Sequence, residues 1–397
     1  MIEGRTIVCF ASGYDAPPTS KHHVMHLLAE RNVVLWVNYH ASRAPSASGS
    51  DLLYMAGKLW QVARGRRRLR PNLYVLTPLV VPLPGAGWAR RLNRALLIGQ
   101  VRLGLSAVRA GPVQVWSFTP DVSYALGQFG EEKVVYYCVD DFAHFSGYDA
   151  AQVLRDEQDL CRRADLVVTT SMALQQAKGP WNPNTLLVPH GVDHAHFAAA
   201  MSGAVAEPAD LAAIPRPRLG FLGLIRDWVD LDLLAEVARR RADWHFVLVG
   251  DWRVDLGPYR GLANLHFLGR RPYEQMPAYC KGLDVGLIPF RLNELTVAVN
   301  PIKLREYLAA GLPVVSTPLP EVRLYEGLVE VAEGAEAFAA AIERALSAGP
   351  AERRRRSEAM ASETWPAKLE AICRRLGAAA PRPGRAARLR NSINPRE

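Results

Sequence analysis

The 397-residue chain has few cysteines and none at paired spacing: Cys9, Cys138, Cys161, Cys280 and Cys373 are scattered, with no CxxC among them. That excludes a disulfide framework and a zinc site built on paired thiols, and it predicts buried thiols in a reducing compartment. No apolar run reaches the roughly 18 residues that a membrane span needs, and no basic-then-apolar leader opens the sequence. Integral-membrane and secreted readings fall away, and a cytoplasmic location is expected. Charged residues make up 22% against 49% hydrophobic, which excludes disorder over most of the length. The length itself suits two domains better than one core.

Positive charge is in excess: 48 Lys and Arg against 39 Asp and Glu, a net +9. It concentrates in ARGRRRLR (63–70), the arginines of 90–102, RRRR at 353–356 and the tail PRPGRAARLR. Such runs suit an acidic partner, whether nucleic acid, anionic lipid or a phosphorylated small molecule, or simply a solvated face. WARRLNRALLIGQVRLGLSAVR interleaves arginines with Trp88, Leu92, Leu96, Leu97 and Leu103. That basic amphipathic pattern fits an anionic membrane surface or a helix packed on its own sheet, and both can hold at once. No aromatic-studded RNA motif or recognition helix accompanies the charge, so no nucleic-acid partner is expected.

Strand-like and helix-like segments alternate from end to end. TIVCF (6–10), VVLWVN (33–38), LYVLTP (73–78), VQVWSF (113–118), VVYYCVD (134–140), LVVTTS (166–171) and TLLVPHGV (185–192) read as buried strands, with helical periodicity between most of them. After the proline-rich stretch 198–217, read as a linker, the alternation restarts with RLGFLGL (218–224), HFVLVGD (245–251), LHFLGR (265–270), DVGLIPF (284–290), PVVST (313–317) and LVEVAE (328–333). Near-continuous apolar strands separated by helices predict parallel sheets covered on both faces, so the expected fold class is α/β with two tandem doubly wound domains facing a cleft. The expected domains are 1–197, 218–349 and a helical closing segment 350–378, followed by a basic, disordered tail over 379–397. Ligands of such sheets bind beyond the carboxyl ends of the strands.

NPIKLREYLAAGLPVVST (300–317) carries the most chemistry. Asn300 reads as an N-cap, Pro301 as the first helical residue and Gly311 as the stop before the next strand. Free N–H groups at that helix start, with Lys303 beside them, form an anion site. Glu306, three residues on, sits on an adjacent part of the face, where a ribose diol can donate to it. Lysine for phosphate and glutamate for ribose together read as a nucleotide site; an ordinary Lys/Glu surface pair is the plain alternative.

This segment resembles the donor-binding motif of GT-B glycosyltransferases, especially the bacterial family 4-like enzymes of exopolysaccharide and cell-surface glycan synthesis. VPHGVDHAHF (188–197) is similar to that family's signature at the end of the first domain, with His190 where an asparagine is usual. Residues 221–251, 265–290 and 362–376 resemble the start, middle and closing helix of its nucleotide domain. The resemblance covers residues 5–376, densest in the second half. It implies two Rossmann-like domains, the first for the acceptor and the second for a nucleotide-sugar, UDP-linked by preference or GDP-linked. By position, Glu306 matches the ribose-binding glutamate, while Asn300, Pro301 and Lys303 face the pyrophosphate or sugar. Gly223 and Arg226 attend the donor phosphates, and Gly269, Arg270 and Tyr273 border the base. Many retaining members have a second glutamate eight positions before the first; here that position is Ala298, with Glu294 off register, so retention and inversion both stay open.

The implied reaction transfers a sugar to a hydroxyl of a lipid-linked oligosaccharide at the inner membrane face, with no cofactor and no metal. Neither Asp140-Asp141 nor His22-His23 has metal-ligand spacing. Asp140 and Asp141, directly after strand VVYYC, are the base candidates, or else caps of the turn that follows. His144 can pair with one of them. Lys21 and His22, at the start of the helix after the first strand, are placed with His144 in the acceptor site. PGAGWAR (84–90) lacks the third glycine and is rejected as a dinucleotide fingerprint. A nucleotide-sugar epimerase on the same fold and a nucleic-acid-binding protein are the weighed alternatives.

Overall fold

The computed structural model describes residues 1–39, 65–81 and 87–379. The first two residues of the basic run 63–70, the Pro84–Ala86 part of PGAGWAR and the basic tail from 380 lie outside the described residues. The chain forms two compact units, Met1–Pro189 with the chain from Leu369 onward, and His190–Lys368.

The first unit is built on an eight-stranded sheet in the order β3-β4-β2-β1-β5-β6-β7-β8. Its strands are β1 (Thr6–Ala11), β2 (Val33–Asn38), β3 (Arg66–Arg70), β4 (Leu73–Leu76), β5 (Val113–Ser117), β6 (Glu131–Cys138), β7 (Leu166–Thr169) and β8 (Thr185–Leu187). All pairings are parallel except β3 with β4, which is antiparallel and irregular between Arg68 and Arg70. Every residue of β1, β5 and β7 is buried, as strands covered on both faces require. Strand β3 is absent from the sequence reading because its RRRLR has no apolar period; exposed arginines on an edge strand keep it from pairing with other chains. Strand order reverses between β1 and β5, which sets the ligand-side crevice of this sheet at their carboxyl ends.

The second unit is a six-stranded, all-parallel sheet in the order β11-β10-β9-β12-β13-β14. Here β9 is Arg218–Leu222, β10 His245–Val249, β11 Leu265–Phe267, β12 Val285–Ile288, β13 Val314–Ser316 and β14 Glu330–Val331, and the order reverses between β9 and β12. The stretch read as a linker is packed into this unit. Leu211 is fully buried, and Ile214 and Ala200 join the same apolar cluster as Tyr279, Leu304 and Tyr307. Its alanines and prolines hide the spacing of its few large apolar residues, so sequence periodicity misses what packing uses. The first unit regains the chain at Leu369, where Arg375 Nε donates to Asn184 Oδ1 (2.6 Å) and Lys133 Nζ to the Ala379 carbonyl (2.7 Å).

One ion pair in the first unit is fully buried: Lys178 Nζ donates to Glu157 Oε2 at 2.7 Å, and Tyr136 Oη donates to Glu157 Oε1 at 2.6 Å. Removing one partner strands the other without water. Glu157→Ala should therefore lower the unfolding free energy by about 3–5 kcal/mol, while Glu157→Leu with Lys178→Met should recover most of it. Urea titration of the two variants checks this, and equal losses in both would contradict it.

Candidate functional site

In the second unit the residues expected to hold a donor all stand at the carboxyl ends of the strands. Gly223 follows β9, and its N–H donates to the Val249 carbonyl at 2.9 Å. Gly250 follows β10; a Cβ there would lie 1.8 Å from the Gly223 carbonyl oxygen, so two backbones meet where only glycine fits. Gly250 N–H in turn donates to the Gly269 carbonyl (3.0 Å) beyond β11. The result is a ledge of bare backbone at three strand ends. Arg226 rises from the loop after Gly223 with its Cζ 4.9 Å from the Trp228 ring centroid and Nε 3.8 Å from Asp227 Oδ1. Arg270 is exposed.

The helix Ile302–Ala309 begins in the loop that follows β12 and ends at Gly311, whose φ of +75° supplies the left-handed stop expected of it. Its start differs from the expectation by one residue. Pro301, not Asn300, is the N-cap, and no side chain caps the helix. Asn300 is 3% exposed, and its amide is spent inward, with Oδ1 accepting from Arg305 and Nδ2 donating to Glu321. A buried guanidinium needs acceptors more than a helix end needs a cap, so Asn300 is drawn to Arg305.

Lys303 Nζ donates to Glu306 Oε2 at 2.6 Å; the glutamate side chain is 4% exposed and the lysine 22%. A carboxylate this deep on a helix is not an ordinary surface pair member, because a solvated Glu has no reason to give up water. Tyr273 lies near it: burial chiefly, and then the charges of Glu306 and Asp193, hold its phenol above the ordinary range. Its ring stacks on His196 (centroids 4.8 Å, 19°) and meets Phe197 edge-on at 5.8 Å. His196, Trp228, Arg305 and Glu321 were missed by the sequence reading. The first sits in HAHF directly after the GVD signature, a position that carried a signal; the others depend on folding to bring them in.

In the first unit Lys21 and Asp140 come together beyond β1 and β6. Lys21 Nζ bonds to Ser12 Oγ. Burial pulls the Lys21 ammonium down to about 8, with Cys9 and Asp140 opposing. Burial likewise pushes the Asp140 carboxyl up to about 7, with Lys21 holding it down and Asp141 adding to the rise. Asp141 Oδ2 is 3.1 Å from His144 Nδ1, while its buried Oδ1 has no hydrogen bond among the described residues. His22 goes elsewhere. Its Nδ1 accepts from the Thr19 N–H (3.1 Å), its Nε2 meets the Tyr14 carbonyl (3.0 Å), and its ring packs on Trp36 at 4.9 Å. With both nitrogens engaged, it belongs to the packing under the helix Ser20–Ala29, whose N-cap is Thr19. Among the described residues no group of three His, Cys, Asp or Glu is placed to hold a metal.

Residues 216–348 match the family described as Glycosyl transferases group 1. A Bacillus subtilis (strain 168) protein, TuaH, whose name assigns it provisionally to teichuronic acid biosynthesis as a glycosyltransferase, is 36% identical over 106 residues. That match spans 26% of this chain and 27% of the relative. Among solved structures, sucrose-phosphate synthase from Thermosynechococcus elongatus aligns with a TM-score of 0.68 at 15% identity, over 95% of this chain and 100% of its own. Anabaena HepE in complex with UDP and glucose aligns with a TM-score of 0.64 at 16% identity, over 94% and 99%. The chain thus has the GT-B fold of these structures, with two Rossmann-like domains.

The hydrogen bonds of His22 make a prediction. Burial first, then Lys21, keep its ring neutral until pH falls to about 3. Imidazole nitrogen NMR should show one neutral tautomer with the proton on Nε2 throughout the neutral range; a titration near the free-histidine value would show that the ring faces water.

Proposed function

We propose that this protein transfers a sugar from a nucleotide-sugar, UDP-linked by preference, to a hydroxyl of a lipid-linked cell-surface glycan. The observation that carries the reading is the buried Glu306 beside Lys303, one turn into a helix that starts at the carboxyl edge of a group 1 domain. On donor binding the pair separates: Lys303 turns to the diphosphate and Glu306 accepts hydrogen bonds from the ribose diol. Charge that builds on the leaving diphosphate meets the helix start, Lys303 and Arg226, groups held in place before the reaction begins. These cations take the part of a metal, which supports a metal-independent transfer. Gly223 and the ledge behind it admit the phosphates closely, and Gly269, Arg270 and Tyr273 border the base. Asn300 serves through its backbone and Pro301 through the turn. UDP is favoured over GDP because HepE is a UDP-complexed neighbour of the same fold.

The first unit handles the acceptor. Asp140 is the base: its carboxyl is poised near neutrality, and Lys21 steadies the charged form. Asp141 is held by His144 and orients the segment after β6. Lys21 and His144 remain the acceptor-side groups, and His22 supports them from beneath. A lipid-linked acceptor fits the exposed strip Trp88, Leu92 and Leu103 on the helix Gly87–Ser106, three positions within about 60° of one another around a helix. With exposed Arg66, Arg68 and Arg70, this strip suits peripheral attachment to an anionic inner-membrane surface. Among the described residues no helix is long and apolar enough to cross a membrane. The relation to TuaH supports the cell-surface glycan.

Nucleotide release from UDP- and GDP-sugars, followed with and without membrane lipid extract, tests the reading. Acceptor-dependent release is expected, and isomerisation without acceptor would favour an epimerase. Glu306→Ala should weaken UDP binding by about 1–3 kcal/mol, the loss of a buried acceptor; unchanged affinity in calorimetry would remove Glu306 from the ribose. Because a base works only when deprotonated, kcat should rise with pH to a plateau above about 7. Lys21→Met removes the charge that holds Asp140 down, so its rise should move to higher pH. An unshifted profile would detach Lys21 from the base.

A further inference from the structure

The inward side of the helix Ile302–Ala309 has polar groups of its own. Arg305 is 1% exposed, and a guanidinium at that depth persists only where its donors are met. Nη1 donates to Asn300 Oδ1 at 2.7 Å, Nη2 donates to Tyr325 Oη at 2.7 Å, and Nε faces Glu363 Oε2 at 3.6 Å. Asn300 passes the link on, its Nδ2 donating to Glu321 Oε2 at 2.6 Å, with both residues 3% exposed. At about 100° per residue, Lys303 and Glu306 lie within about 60° of each other on the helix, whereas Arg305 is about 160° from Lys303. The two sides of one helix thus carry different polar sets, with the nucleotide pair on one and this network on the other.

The start of this helix has no side-chain cap, since Pro301 occupies the capping position and offers none. Something else must fix the direction in which the first turn points. Asn300, the residue just before it, is held at both ends of its amide, once from within the helix by Arg305 and once from the segment after β13 by Glu321. A rigid anchor at that position sets where the chain enters the helix, and therefore where Lys303 and the first N–H groups stand.

We propose that Arg305 is a positioning residue of the donor site, acting through Asn300 and Glu321 to aim the first turn of the helix at the donor diphosphate. This rests on the reading of Lys303 and Glu306 as the nucleotide-binding pair. Arg305 touches no substrate itself; its contribution is to hold a geometry that a mobile turn would lose on most encounters.

The test measures UDP affinity of the full chain by calorimetry, together with unfolding temperature and amide hydrogen exchange at Ile302–Leu304. Arg305→Lys and Asn300→Leu should each raise the UDP dissociation constant on the order of tenfold, as small misplacements of binding groups do. The double variant should be no weaker than the singles, because both break one link, and the exchange of those amides should quicken without ligand. Asn300→Ser, a smaller change, applies the same criterion where the others do not fold. Folded variants that bind UDP like the parent, or losses that simply add in the double variant, would overturn the proposal. Lys303→Ala and Glu306→Ala run alongside: if these also leave UDP binding unchanged, the nucleotide-site reading fails, and if they alone weaken it, only the role of Arg305 does.

Discussion

A parallel strand buried on both faces has nowhere along its length to do chemistry. Its neighbours run the same way, so all carboxyl ends collect on one edge, and the loops leaving that edge are the only backbone free to meet a ligand. Both sheets of this protein obey that constraint, the antiparallel edge strand β3 apart, and it explains why residues as distant in sequence as Gly223, Gly269 and Lys303 share one edge of the second unit. Lys21 and Asp140 share one edge of the first for the same reason. Where two loops must touch on such an edge, side chains give way to bare backbone, as at Gly223 and Gly250.

Charges at these edges are distributed unequally, and burial decides their state. In the first unit burial raises the Asp140 carboxyl and lowers the Lys21 ammonium, bringing both near neutrality, where a proton passes easily. In the second, a buried carboxylate is kept beside a lysine that is itself partly exposed, and the proposed division of phosphate and ribose between them rests on that difference. Behind it, Arg305 is locked by neutral and acidic partners alike. The partly exposed charge thus lies on one side of the helix Ile302–Ala309 and the fully buried one on another.

Much of this was legible in the residues. Thirteen of the fourteen strands among the described residues overlap segments read from apolar runs, and the exception, β3, is a string of arginines whose pairing owes nothing to hydrophobic pattern. The helix Ile302–Ala309 was legible because helix stops, lysine and glutamate act locally, within one turn of one another. The buried network was not, since Arg305, Asn300, Glu321 and Tyr325 span several elements and no local rule places an arginine inside. His22 illustrates the reverse: a histidine at a helix start reads as an anion contact until folding brings the Tyr14 carbonyl to its ring.

What the amino-acid order determined unaided is whatever depends on neighbours along the chain: the alternation that makes two largely parallel sheets, the glycine that ends the helix Ile302–Ala309, and the Lys303–Glu306 pair one turn apart. Tertiary structure decided the matters that hang on burial and on distant partners. It turned Asn300 inward, packed residues 198–217 into a core, and brought Lys21 to Asp140. The reason is that dehydration and long-range hydrogen bonding arise only once the sheets have formed, and they then outweigh the local preferences from which a sequence is read.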